Sequence, residues 1–308
     1  MELSLFDLHC DTPYLMLRNS QPLFSNDLAV SLENARNFKH YTQVMALWTD
    51  KALTDEEGWV QLHRMLENLQ SDPALQDGRA RLCIAAKDRV GDSASLFLGV
   101  EDARLLNRRL ERVDELYRLG VRILTPLWSR STCIGGSHDV SDGLTDFGYS
   151  ALCRAAELGM ILDVSHASEQ STEQIFEISR QHGLPAIASH SNAYHVCPVS
   201  RNLRDWQIDR IVKSRGLIGL NFYGAFLSRE KDPSIKSILL HIDHFLSRGA
   251  EDALALGGDM DGCDLPFDLK SLSALPHLAE LMLRHGYSEA LIRKIFYQNA
   301  STFFMKYL

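Results

Sequence analysis

Short apolar runs recur along the chain, each closed by a polar or glycine-containing stretch and followed by a segment whose apolar positions return at helical spacing. That alternation predicts parallel strands joined by helical crossovers. The runs are Leu3 to Leu8, Thr42 to Trp48, Ser95 to Val100, Val121 to Leu127, Met160 to Val164, Ala186 to Ser189, Leu217 to Phe222 and Ala253 to Gly257. They number eight, which is what closes a (β/α)8 TIM barrel. Between them, Ala103 to Leu119 repeats Leu106, Leu110, Val113, Leu116 and Tyr117 on one face, and Ile235 to Leu246 does the same through Ile238, Leu239, Ile242, Phe245 and Leu246. Both read as helices covering the sheet. Ser288 is placed to cap a further helix whose apolar face holds Leu291, Ile295 and Phe296, and this tail is expected to close the outer ring. The longest loops, Thr12 to Tyr41 (with room for a short helix) and Ser129 to Gly143, follow strands, where a barrel builds its active site.

Length alone, 308 residues, suits two ordinary domains or one α/β barrel. With no linker, low-complexity tract or internal repeat, the reading is a single barrel domain over residues 1–308. A formal net charge of −8 and the lack of any Lys/Arg-rich run argue against nucleic acid as a partner. The six cysteines are far apart with no Cys-x-x-Cys pair, which suits reduced thiols in a cytoplasm better than a disulfide scaffold or zinc ribbon. Asp7, His9, Asp11 and Asn19 stand where a signal peptide would be apolar, and no apolar run reaches the ~18 residues of a membrane span. A cytoplasmic protein with a small-molecule substrate and no membrane partner is expected.

The polar residues that interrupt the apolar runs fall at strand C-terminal ends. His9 and Asp11 follow the first run, Glu101 ends the third, His166 and His190 end the fifth and sixth, and Asp259 follows the last. A single histidine there is more often hydrogen-bonded structure than a ligand. Three of them, converging with carboxylates on one barrel mouth, point to metal binding. Six groups exceed what one tetrahedral zinc takes, so two ions about 3.5 to 4 Å apart are expected, with Glu101 as the bridging carboxylate.

The stretches Asp7-Leu-His9-Cys-Asp11-Thr-Pro, Gly99-Val-Glu101, Asp163-Val-Ser-His166, Ser189-His190-Ser-Asn-Ala-Tyr194 with Arg201-Asn202 and Asp205, and Gly257-Gly-Asp259-Met-Asp261-Gly262 run through nearly the whole chain. Together they make it resemble the renal (membrane) dipeptidase family of the amidohydrolase superfamily. The resemblance implies a (β/α)8 barrel with two Zn2+ per chain, His9 and Asp11 on one ion, His166 and His190 on the other, and Glu101 bridging. It also implies that Arg201 clamps the free carboxylate of a dipeptide, a task suited to a planar guanidinium. Asp259 would protonate the departing amine after hydroxide held between the ions attacks the carbonyl, with Asp261 the second choice for that role and otherwise a substrate contact. Relatives of this kind are often dimers, so a homodimer is left open.

Two places depart from the family pattern. Leu124-Thr-Pro-Leu-Trp128 stands where Leu-Thr-Leu-Thr-His is common, so Trp128 replaces a substrate-contacting imidazole with an indole that can donate a hydrogen bond but cannot titrate. Glu101-Asp102-Ala103 stands where Glu-Gly-Gly is frequent. Both changes touch the substrate pocket and spare the ligands, and His138 is a candidate stand-in for the lost imidazole. The expected function is a zinc dipeptidase splitting L-Xaa-L/D-Xaa. Its rivals are an amidohydrolase acting on an N-acyl amino acid, lactam or cyclic amide, and a metal-stabilised barrel that binds without catalysis.

Overall fold

Every residue of β1 (Leu5–Cys10) is buried, as expected of a strand covered on both faces of a parallel sheet. The structure, a computed structural model, describes residues 2–89, 91 and 93–308. Next come β2 (Tyr41–Trp48), β3 (Ala80–Cys83), β4 (Ala94–Glu101), β5 (Val121–Thr125), β6 (Ile161–Leu162), β7 (Ile218–Leu220) and β8 (Leu254–Leu256). All pairings between them are parallel, in the order β6-β5-β4-β2-β1-β8-β7, with β3 beside β4.

The two ends of that order meet through the run predicted as the sixth strand. Ile187 bridges Asp163 just past β6, and Ala188 bridges Ile218 of β7. The backbone bonds Val164 N to Ile187 O, Ala188 N to Leu217 O and Gly219 N to Ala188 O are each 2.8 Å. The ring therefore closes as a TIM barrel, with Ala186 to Ser189 reduced to two bridges. Glycine makes this crossing possible: a Cβ on Gly219 or Gly257 would lie 1.8 Å from the Ser189 carbonyl oxygen.

Three further features differ from the sequence expectation. β3 lies outside the eight runs, because Ala-Arg-Leu-Cys is only four residues long and is interrupted by a charge; it pairs with the first half of β4 (Ala94–Phe97), while β5 takes the second half (Leu98–Glu101). The single helix expected from Ala103 to Leu119 is split into a 3-10 turn, Ala103–Leu106, and a helix, Glu111–Arg118. Asn107 and Arg108 between them adopt left-handed φ of 46° and 58°, and the Asn107 amide and Arg112 guanidinium both donate to Glu56 on a neighbouring helix. Tertiary hydrogen bonds outweigh helical periodicity at that point.

The third difference is the tail. Ser288 does cap the helix Glu289–Arg293, accepting from Leu291 N at 3.2 Å, and the helix Ser237–Ser247 forms where Ile235 to Leu246 was read. The last helix, Asn299–Tyr307, lies under the barrel instead of in its outer ring. Its Phe303 and Phe304 join an interior cluster with Phe6, Leu8, Val44, Phe97, Ile123, Ile161 and Ile187. Phe304 packs 4.6 Å from Phe6 and 4.9 Å from Phe97, centroid to centroid. The floor is thus dry and packed, which leaves the C-terminal strand ends as the mouth.

Candidate metal centre

Strand geometry carries six polar side chains to that mouth. His9 lies in β1 and Asp11 just after it, Glu101 is the last residue of β4 in register with Trp48 and Thr125, and His166, His190 and Asp259 follow β6, the Ile187–Ala188 bridge and β8. All are buried, except that His166 retains slight exposure. Glu101 is the hub: its Oε1 is 3.0 Å from His166 Nε2 and 3.3 Å from His190 Nε2, and its Oε2 is 3.6 Å from His9 Nε2. Asp11 Oδ2 stands 3.9 Å from His9 Nε2. His166 and Asp259 hold left-handed φ of 67° and 55°, a backbone state uncommon outside glycine that recurs at functional sites.

Proton bookkeeping shows what these groups are suited to hold. His166 Nδ1 lies 2.8 Å from the Trp128 carbonyl oxygen, which only accepts, so Nδ1 carries the proton and Nε2 presents a lone pair. Ser189 donates its hydroxyl to Asp163, so its oxygen is left to accept from His190 Nδ1 at 2.7 Å. His190 Nε2 is therefore also a lone pair. Burial, reinforced by the nearby positive charge of Arg201 and His9, lowers the pKa of both rings and keeps them neutral. Two lone pairs 3.0 Å apart then face each other and the Glu101 carboxylate with no proton between them. Asp11 Oδ1 and Glu101 Oε1 are likewise buried without a hydrogen-bond partner, and so is Nε2 of His9, whose ring the Glu101 and Asp11 carboxylates pull toward its charged form against the cost of burial. Buried acceptors require a donor or a cation. Ligand atoms of His9, Glu101 and His190, and of His9, Asp11 and Asp259, lie within 4.8 Å of one another, so this donor set fits metal cations.

Behind the six stand residues whose functional part the sequence reading missed. Asp163 is fully buried and accepts from Ser165 N and Ser189 N at 2.9 Å each, from Thr125 Oγ1 at 2.6 Å and from the Ser189 hydroxyl. Asp7 accepts from His9 N at 3.0 Å and from Gln43 Nε2 and Gly258 N at 2.9 Å, tying β1 to the turn that carries Asp259. The signal was present in both cases as an acid inside an apolar run. Asn221 Nδ2 donates to Asp259 Oδ2 at 3.0 Å. Burial, together with the charges of Asp11 and Glu101, pushes the Asp259 carboxyl up to about 7. Glu101 goes the other way, because the charge of His9 opposes the cost of its burial.

The mouth opens into a cleft of about 690 Å³ whose wall includes Asp11, Glu101, His166, Asp259, Asp261 and Trp128. Trp128 packs edge-on against Trp48 at 5.3 Å, and Trp48 against Tyr14 at 4.9 Å, so the indole belongs to an aromatic wall. Asp261 lines the cleft with its carboxylate already engaged by Thr12 Oγ1 at 2.6 Å, Ala29 N at 2.7 Å and Val30 N at 3.3 Å. Arg201 does not line this cleft. It lines an adjoining one that shares His138 and His166, and it donates to Ser191 Oγ and His190 O at 2.8 Å while its Nε is buried without a partner. His138, bonded to Ser200 Oγ at 3.0 Å, sits 5.8 Å from the His166 ring at the junction. Asp102, the other departure from the family pattern, holds Arg104 by a 3.1 Å ion pair beside Glu101. Among the described residues no helix is long and apolar enough to cross a membrane.

The whole chain is similar to proteins of known structure. A metallopeptidase from Rhodobacter sphaeroides, solved with a phosphinate mimic of the dipeptide L-Ala-D-Ala, superposes with a TM-score of 0.91 at 26% identity over 100% of both chains. Dipeptidase AC, an M19 metallopeptidase, gives a TM-score of 0.91 at 27% identity over 100% of this chain and 99% of that one. An uncharacterized protein from the pqqA 5' region of Klebsiella pneumoniae is 32% identical over 238 residues, which is 72% of this chain and 87% of the relative. Residues 1–306 match the model of the membrane dipeptidase family, peptidase family M19, and the chain belongs to that family of metal-dependent hydrolases.

Proposed function

We propose that the protein is a zinc-dependent dipeptidase that splits an L-Xaa-L/D-Xaa dipeptide into free amino acids. In this reading two Zn2+ are held by His9, Asp11, His166 and His190, with Glu101 bridging. The supporting observation is the cluster of buried acceptors without a hydrogen-bond partner beside an open cleft. Bound there, the ions would polarise the peptide carbonyl and lower the pKa of water. Asp259 would hand a proton to the leaving amine, with Asn221 orienting the carboxyl. Arg201, whose buried Nε has no partner, receives the substrate carboxylate from the adjoining cleft. Trp128 shapes the wall beside the scissile bond, and Asp261 serves substrate binding by holding the 12–30 loop in place.

The Rhodobacter sphaeroides relative was solved with a mimic of L-Ala-D-Ala, which supports tolerance of a D-residue at the C-terminal side. Residues 1–308 act as one catalytic barrel. All six cysteines are free thiols, which supports a cytoplasmic setting. Metal analysis combined with turnover of an L-Xaa-L/D-Xaa panel tests the reading. Two zinc ions per chain and cleavage of panel members are expected; metal-replete protein inert on the whole panel would overturn it.

A further inference from the structure

We propose that the cleft selects dipeptides whose N-terminal residue carries an acidic side chain, aspartyl or glutamyl, which Lys51 and Arg18 receive at the aromatic wall. The inference rests on the dipeptidase reading above and adds a substrate class to it.

Orientation comes first. Arg201 and Asn221 both donate to the His190 carbonyl oxygen, and Asn221 also donates to Asp259. The carboxylate clamp and the proton donor are therefore linked through one carbonyl oxygen, with Arg201 in the adjoining cleft and Asp259 in the main one. The Tyr14, Trp48 and Trp128 wall lines the cleft from which Arg201 is absent, so it faces the residue on the acyl side of the scissile bond.

Charge comes second. The Lys51 ammonium stands 5.7 Å from the centre of the Trp128 ring, and Arg18 lines the same cleft. Both side chains are exposed, and among the described residues neither forms an ion pair. The loop that presents Lys51 is pinned. Arg104 donates to Leu53 O at 3.1 Å, Asp50 O at 3.0 Å, Asp55 Oδ1 at 3.0 Å and Thr49 Oγ1 at 3.4 Å. Asp102, adjacent in sequence to the hub Glu101, grips Arg104 in turn. A cation held on a rigid loop over an indole face is preorganised for an anion, which reduces the ordering cost of binding one. Asp50, in the same lining, has an Oδ2 engaged only by the Tyr14 hydroxyl at 3.3 Å and is available to the substrate α-ammonium.

L-Glu-L-Ala and L-Gln-L-Ala are nearly the same size and differ in charge, so they form the test pair for the metal-loaded enzyme. Wild type should favour the glutamyl substrate by roughly tenfold or more in kcat/KM, mainly through KM, and the ratio should shrink as salt screens the exposed cations. In an Arg18→Gln/Lys51→Gln double variant with unchanged metal content, the ratio should fall toward one. Equal cleavage of both substrates by wild type would overturn this inference and leave the dipeptidase reading standing. A preference that survives the double substitution would overturn the assignment to these two residues. Absence of turnover on every dipeptide would overturn both readings together.

Discussion

Replacing Asp163 with asparagine should reach the metal centre without touching a ligand. The wild-type carboxylate only accepts: Oδ1 takes Ser165 N and Ser189 N, and Oδ2 takes Thr125 Oγ1 and the Ser189 hydroxyl. An amide keeps the first pair through its oxygen and presents N–H donors to the two hydroxyls. Ser189, accepting from the introduced amide, is then freed to turn its own proton toward His190 Nδ1, 2.7 Å away. The imidazole responds by carrying its proton on Nε2, where it can bond to Glu101 Oε1 at 3.3 Å and no longer offers a lone pair. Metal binding must reverse that tautomer. Outer partners of this kind typically contribute 10- to 100-fold in metal affinity, or ~1.4 to 2.8 kcal/mol. Competition with a chelator of known affinity measures the loss directly, and Ser189→Ala, which leaves Nδ1 with no partner to set the tautomer, should lose less. An Asp163→Asn affinity within about twofold of wild type would refute the tautomer argument.

Stripping the metals should lower the melting temperature, since a ligand present at 1,000 times its Kd adds ~4.1 kcal/mol to native stability; identical melts with and without chelator would count against the site. Asp259→Asn should cut kcat of the loaded enzyme by about 10²- to 10⁴-fold. The same variant tests a pH dependence. Because burial raises the folded carboxyl to about 7, the metal-free native state holds a proton that the unfolded chain releases, so stability falls as pH rises from about 4 to about 7. Denaturant midpoints of metal-free Asp259→Asn should therefore gain on wild type across that window, and parallel curves would contradict the raised carboxyl. Phe304→Ala, at the opposite end of the barrel, should cost about 3 to 5 kcal/mol of stability while leaving chelator competition at the mouth close to wild type, because Phe304 packs on Phe6 and Phe97 in the floor.

Much of this molecule is legible in one dimension. Apolar runs spaced by helical segments specify parallel strands, and parallel strands place all their C-terminal ends on one face. Polar residues closing those runs, such as His9, Glu101 and His166, therefore had to converge, whatever the details of packing. Glu101 ends β4 where expected, and its two oxygens reach all three imidazoles. What could not be read in the same way depends on contacts between residues distant in the chain. Asn107 breaks a periodic helix because Glu56 waits for it, and Phe304 plugs the floor because Phe6 and Phe97 leave room there. The loop bearing Lys51 owes its position to Arg104, and the 12–30 loop is latched to Asp261, more than two hundred residues away. Periodicity along the sequence determined the barrel and the convergence of its candidate ligands. Only the tertiary structure decided which imidazole nitrogen carries the proton and which charged groups remain free to meet a substrate, because both depend on donors and acceptors that folding alone brings together.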